Sequence, residues 1–180
     1  RQTTDVSLMY DSFVVWAMSQ SEGYSANLDE LSWSDVVDEA VSISQPIADM
    51  KSISIAVTGD ETIEMSTDRM AANLVLRNLL SNAIKYSHEG SKIEVHFEKK
   101  GDQVCTTVQD WGLGISEELL GKIFHSIGSS RQGTRKEYGS GLGLRLIIQF
   151  IDLMGGTVTA ESEEGKGSSF IVHLPLHQLT

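Results

Sequence analysis

Apolar and polar positions follow two rhythms along this chain. Residues 52–57 (SISIAV), 62–67 (TIEMST), 92–99, 102–110, 157–162 and 168–174 alternate with a period of two. Strands with one buried face do so. Gly59-Asp60, Gly101 and the segment Glu163–Gly167 lie between successive pairs. Three hairpins are therefore expected, the first joining 52–57 to 62–67. Residues 68–86 carry a helical rhythm instead: Ala72, Leu76, Leu79, Leu80 and Ala83 share one face at about 100° per residue. Residues 116–125 suit a short helix. Residues 142–154 (LGLRLIIQFIDLM) are apolar nearly all round, which predicts a buried helix.

The first part of the chain is also helical in pattern. Val6, Met9, Phe13, Trp16 and Gln20 recur at spacings of three and four over residues 1–21. That stripe suits a bundle seam or a short amphipathic cap. Residues 22–33 break it and read as a linker. Ser34 can cap a second helix with Asp35, Asp38 and Glu39 near its positive end. Val37, Ala40, Val41 and Ile47 would face inward, and Pro46 should kink or shorten it. The order predicts an α+β domain, with a mixed or mostly antiparallel sheet and helices on one face.

The 180 residues suit one domain plus an extra element, and 40% apolar residues suffice for one core. A net charge of −11 without a basic stripe argues against nucleic acid and against direct contact with anionic membrane. Any phosphate must be held by local devices. The single cysteine, Cys105, excludes an internal disulfide or a cysteine zinc cluster and fits a reducing compartment. No segment approaches the ~20 apolar residues of a membrane span.

Three clusters carry candidate chemistry. On the helix 68–86, Asn78, Asn82 and Lys85 fall within roughly 60° of one another, nearly opposite the apolar face. Such a stripe is either solvated or purposeful: an Asn carbonyl is a hard ligand for Mg²⁺, and a lysine offsets phosphate charge. Asp110-Trp111-Gly112-Leu113-Gly114 ends a strand. It is either an ordinary turn or a carboxylate placed to accept a hydrogen bond from the exocyclic amine of adenine. Gly139-Ser140-Gly141-Leu142-Gly143-Leu144 opens the apolar helix. It is either a flexible loop or a phosphate cradle at a helix N-terminus. The spacing fits neither a dinucleotide fingerprint nor a Walker loop.

Taken in order, N-L-L-S-N-A-I-K-Y (78–86), D-W-G-L-G-I (110–115), Phe124, G-S-G-L-G-L (139–144) and the ending 155–170 resemble the ATP-binding catalytic domains of sensor histidine kinases. The resemblance covers roughly 34–176. It implies a two-layer α/β sandwich of the Bergerat type, with a mixed sheet of about five strands and three main helices over residues 34–177. It implies ATP and Mg²⁺ as cofactors. Asp110 would read adenine, Asn82 would ligate Mg²⁺, and Lys85 and Tyr86 would line the site. Gly112, Gly114, Ile115, Phe124, Gly139, Ser140, Gly141, Leu142, Gly143 and Leu144 complete the implied ATP site. Residues 126–138 would form a mobile lid carrying Arg131, Arg135 and Lys136, and Arg131 stands among the ATP-binding candidates. Ile127 departs from the phenylalanine expected there.

Hydrolases of the same superfamily resemble one another in a glutamate four residues before the Mg-binding asparagine. Here that position is Asn78, and an amide is no general base. The resemblance thus implies transfer of the γ-phosphate to a protein histidine, with Asn78 and Lys85 as the catalytic candidates. A water-directed hydrolase and a degenerate nucleotide-binding interaction module are the alternatives. No acceptor histidine is expected in this chain, because Ser87-His88-Glu89 runs into a loop and the other histidines lie in strands or near loops. Residues 1–21 resemble the end of the second helix of a dimerisation hairpin. The acceptor would lie upstream, in a homodimeric cytoplasmic kinase region that passes phosphate to a response regulator receiver domain.

Overall fold

The structure, a computed structural model, describes residues 27–123, 133–135 and 143–177. The helix expected over 1–21 lies outside the described residues. The described chain runs β1 (Leu28–Ser32), α1 (Trp33–Asp49), β2 (Ser54–Gly59), β3 (Glu64–Asp68), α2 (Arg69–Tyr86), β4 (Lys92–Lys100), β5 (Gln103–Asp110), α3 (Glu117–Leu120), α4 (Gly143–Leu153), β6 (Thr157–Glu163) and β7 (Gly167–Pro175).

Five strands form one mixed sheet in the order β2-β4-β5-β7-β6. Only the β2–β4 pairing is parallel. Ile93, Val95 and Phe97 of β4 are buried while Lys92, Glu94 and His96 are exposed. That alternation is the mark of a sheet covered on one face. Val104, Val108, Phe170, Val172 and Leu174 extend the covered face, and α1, α2 and α4 supply the opposing layer of one core. The expected two-layer α+β fold with about five strands and three main helices is therefore present.

The first expected hairpin is not. β2 and β3 exist, but they do not pair with each other. β2 joins β4 in register Ser54↔Lys92 to Gly59↔Phe97, and β3 joins β1 in register Leu28↔Asp68 to Ser32↔Glu64. Two facts redirect the chain. Asp60 donates its N–H to Phe97 O at 3.3 Å, continuing the β2–β4 direction. Its carboxylate accepts from Thr62 N–H and Oγ1 at 3.0 and 2.6 Å, forming a turn that leads away from the sheet. Residues 28–32, read as linker from sequence, supply the partner that β3 needs.

Helix boundaries differ more modestly. α1 starts at Trp33 rather than after Ser34, and Ser32 is the residue at its N-terminal boundary. Pro46 sits in its last turn and the helix continues to Asp49. α3 is shorter than 116–125. α4 buries Ile147, Phe150, Ile151 and Met154, yet Leu153 is 38% exposed and Arg145 is exposed, so it is buried on one side rather than all round.

Among the described residues Trp33 is the largest fully buried side chain, and its indole Nε1–H donates to Thr106 Oγ1 on β5 at 2.9 Å. This bond joins the helical layer to the sheet where no water can replace it. Thr106→Val keeps the shape but orphans the indole donor. It should destabilise the domain by about 1–3 kcal/mol in denaturant unfolding. An unchanged midpoint would contradict that role.

Candidate nucleotide-binding site

α2 begins where Asp68, which is buried, accepts Ala71 N–H at 3.0 Å through Oδ1. A carboxylate N-cap of this kind starts a helix firmly. Ala72, Leu76, Leu79, Leu80 and Ala83 are all buried, as their spacing predicts, and Ala71, Leu74, Val75 and Ile84 join them. Packed by α1 and α4, α2 keeps one narrow side open. Asn78, Asn82 and Lys85 are half-buried on that side. Asn78 Nδ2–H donates to Leu74 O at 2.9 Å. One of its two amide N–H groups is thus committed to the helix, and the carbonyl oxygen and the second N–H remain for a ligand.

The exit of β5 is drawn against the end of α2. Leu113 N–H donates to Tyr86 O at 3.0 Å. A side chain at position 112 would strike Tyr86 O and the Ser87 backbone, so Gly112 permits the approach. Gly114 adopts φ 63°, and a side chain there would strike Glu163 O. On the other side, Gly165 N–H donates to Leu113 O and Ile115 N–H donates to Ser162 Oγ, both at 2.8 Å. Residues 110–115 are thereby clamped between the end of α2 and the β6–β7 turn. Trp111 turns aside, with Lys92 Nζ 4.1 Å from its ring centroid.

Asp110 lies inside this clamp and is only 4% exposed. Gly112 N–H donates to its Oδ1 at 2.9 Å, and the Ser168 N–H also stabilises the charged form. Burial outweighs both donors and pushes its pKa up to about 6. A second buried polar atom lies close by: Ser87 Oγ has no hydrogen-bond partner among the described residues, and its Cα faces Gly112. Lys85 Nζ lies 4.8 Å from the Tyr86 ring centroid.

The residues inferred from sequence thus fall into three groups. Asn78, Asn82, Lys85, Tyr86, Asp110, Gly112, Gly114 and Ile115 lie on α2, at its end, or on the β5 exit packed against it. Leu144 is half-buried against the core near the start of α4, and Gly143 is the first residue of that helix. Phe124, Arg131, Gly139, Ser140, Gly141 and Leu142 lie outside the described residues, as does the segment 126–138 apart from 133–135. Sequence reasoning missed Ser162, whose hydroxyl holds the Ile115 N–H, and Lys51, which is buried beneath the end of α2. Lys51 lies in a connecting segment, and Ser162 is a small polar residue near the end of β6, so neither stands out in the periodic pattern.

Residues 67–178 match the model of the family described as Histidine kinase-, DNA gyrase B-, and HSP90-like ATPase. The chain belongs to this family. The Alginate biosynthesis sensor protein KinB of Pseudomonas aeruginosa is 35% identical over 151 residues, covering 82% of this chain and 25% of that protein. The Autoinducer 2 sensor kinase/phosphatase LuxQ of Vibrio parahaemolyticus is 29% identical over 153 residues, covering 81% of this chain and 18% of LuxQ. This ATPase-family chain therefore spans a quarter or less of those relatives' length. Among solved structures, the catalytic domain of histidine kinase ThkA superposes with a TM-score of 0.74 at 28% identity, covering 84% of this chain and 97% of that one.

For this ATPase-family domain, Mg²⁺ is compatible with the donors present. Asn82 offers a hard amide oxygen on the half-buried polar side of α2, one turn from Asn78. Among the described residues no group of three His, Cys, Asp or Glu side chains could hold a metal, so Asn82 would need nucleotide oxygens and water to complete the shell.

The raised pKa of Asp110 has a consequence for stability. A carboxyl whose folded pKa exceeds its unfolded value favours the fold below the unfolded pKa, here near 3.8, and loses that contribution as pH rises through about 6. Asp110→Asn removes the titration. Between pH 4 and pH 7 the stability difference should move in favour of the variant, by about 3 kcal/mol at most. Unfolding profiles of the two proteins that stay parallel across that window would contradict a buried, desolvated carboxylate.

Proposed function

We propose that this domain holds MgATP and donates its γ-phosphate to a histidine on a dimerisation hairpin, for onward transfer to a response regulator. The observation that carries the nucleotide reading is Asp110. A buried carboxylate costs stability, and here it is kept ionisable by backbone donors in a clamp that packs against the end of α2, the helix that carries Asn82 and Lys85. Adenine presents an exocyclic amine that such a carboxylate accepts. Guanine presents a carbonyl oxygen at the corresponding position, which it repels. Asn82 would ligate Mg²⁺ through its carbonyl oxygen, and Lys85 would offset phosphate charge. The bound ion would draw electron density from the phosphate oxygens.

Asn78 supports transfer over hydrolysis. Its amide has no proton-accepting strength and one of its N–H groups is bound to Leu74 O, so nothing at this position activates water. The similarity to LuxQ, a sensor kinase/phosphatase, and to the catalytic domain of histidine kinase ThkA supports the same reading. In this reading the chain is the cytoplasmic catalytic part of a longer homodimeric sensor. Residues 1–21 belong to the dimerisation hairpin, the residues after them lead into the catalytic domain, which already includes β1 at Leu28–Ser32 and runs to 177, and Phe124, Arg131 and the glycines 139–143 complete the ATP site. Among the described residues no helix is long and apolar enough to cross a membrane.

Calorimetry tests the nucleotide assignment. ATP and ADP should bind more tightly than GTP. Asp110→Ala should weaken adenine nucleotides by about 1.5–3 kcal/mol, as expected for a charge-assisted hydrogen bond. Equal affinity for ATP and GTP would remove Asp110 from base recognition. Asn82→Ala should cost far more affinity for MgATP than for metal-free ADP, and an equal loss would move Asn82 out of the metal's coordination shell.

A further inference from the structure

Lys51 is 4% exposed and lies just after α1, far in sequence from every residue assigned to the nucleotide site. Helix α1 closes with Ile53 N–H donating to Ala48 O at 3.0 Å and Ser52 N–H to Asp49 O at 2.9 Å. Ser52 takes φ 53° at that closure, where glycine is usual. The closure turns the chain so that Lys51 points into the protein. Its Nζ donates to Ile84 O at 2.7 Å, Lys85 O at 3.1 Å and Thr134 Oγ1 at 2.7 Å. The first two acceptors are carbonyls of the last turn of α2, which the helix itself leaves open. A cation at that end also suits the helix dipole.

Thr134 completes the arrangement. Its hydroxyl donates to Ser87 O at 2.8 Å, and its N–H donates to Lys85 O at 3.2 Å. Arg135 next to it pairs with Glu89 at 2.9 Å. One buried ammonium thus ties three segments: the α1–β2 connection, the end of α2, and the chain between α3 and α4. The turn it holds carries Lys85 and Tyr86, and Tyr86 O in turn receives the Leu113 N–H of the clamp around Asp110.

We propose that Lys51 is a positioning residue for nucleotide binding, acting through the last turn of α2 with Thr134 as its relay. The proposal rests on the nucleotide reading above. Lys51 itself touches no nucleotide. It holds the carbonyls of residues 84 and 85 so that Lys85 projects toward the phosphates, and it holds Thr134 across the same turn.

Six variants of the full chain test this, with MgATP affinity by calorimetry and melting temperature read side by side. Lys51→Met keeps the aliphatic stem and removes the donors. It should weaken MgATP about tenfold, equivalent to about 1.4 kcal/mol. Lys51→Arg should recover most of that loss, and Thr134→Val should weaken binding several-fold where Thr134→Ser does not. In a Lys85→Ala background, Lys51→Met should add less than a twofold further loss, because its route to the ligand is gone. A purely structural cap would lower the melting temperature but leave MgATP affinity unchanged, and that result overturns the proposal. So does an undiminished Lys51→Met effect in the Lys85→Ala background. If Lys51→Met does not fold, wild-type affinity in Thr134→Val overturns it equally. A wild-type chain that fails to bind MgATP overturns the nucleotide reading and this role together, whereas wild-type binding with unaltered variants overturns this role alone.

Discussion

A carboxylate buried at the end of a central strand sets the terms for the rest of this structure. Asp110 is taken out of water where β5 leaves the sheet, and burial alone drives it toward its neutral form. Two backbone N–H groups, from Gly112 and Ser168, oppose that drift. Both donors must be brought within reach, and that requirement shapes the surroundings. Gly112 has to lie flat against the end of α2, Gly114 has to turn through φ 63°, and the β6–β7 turn has to close over the loop. The end of α2 and the β6–β7 turn are thus joined through the loop that leaves β5. A domain selected for stability alone would place a neutral residue there. Retaining the acid is explicable when a ligand donor completes its hydrogen bonding.

The open side of α2 complements this point. Its packed face is spent on the core, so the residues left over at i, i+4 and i+7 form a half-buried polar strip. The chemistry of the strip is neutral oxygens and one ammonium. It can ligate a hard cation and balance phosphate, but it contains no base for water. Asn78 is the position on which that distinction turns, and its tie to Leu74 O fixes its orientation on the helix. Family membership by itself spans both histidine kinases and hydrolases, so the side chain at 78 says more about reaction type than the fold does.

Most of the secondary structure and much of this site were legible in the sequence, for a common reason. Periodicity reports which face of an element is buried, and the positions opposite that face are then candidates for function. The buried face of α2, the alternation in β4 and the glycines after Asp110 all follow from local pattern. Pairing does not. β2 and β3 have the alternation of a hairpin, yet their partners are 92–97 and 28–32, and only long-range register decides between the two arrangements. Strand β1 was hidden because two of its five residues are acidic and it pairs in a small separate sheet. Lys51 was invisible for a different reason. Its importance comes from what its Nζ reaches across the fold, and a lone lysine after a helix usually lies in water. Resemblance to a family pointed at further residues between 124 and 142, which lie mostly outside the described residues.

Transfer of labelled phosphate decides the central claim most directly. The chain is incubated with γ-labelled ATP and Mg²⁺, alone and with a fragment bearing a dimerisation hairpin and its histidine. The account predicts almost no label on this chain alone, slow release of free phosphate, and acid-labile label on the added fragment. Rapid release of free phosphate without transfer would contradict it, and would place the domain with the water-directed members of its family despite Asn78.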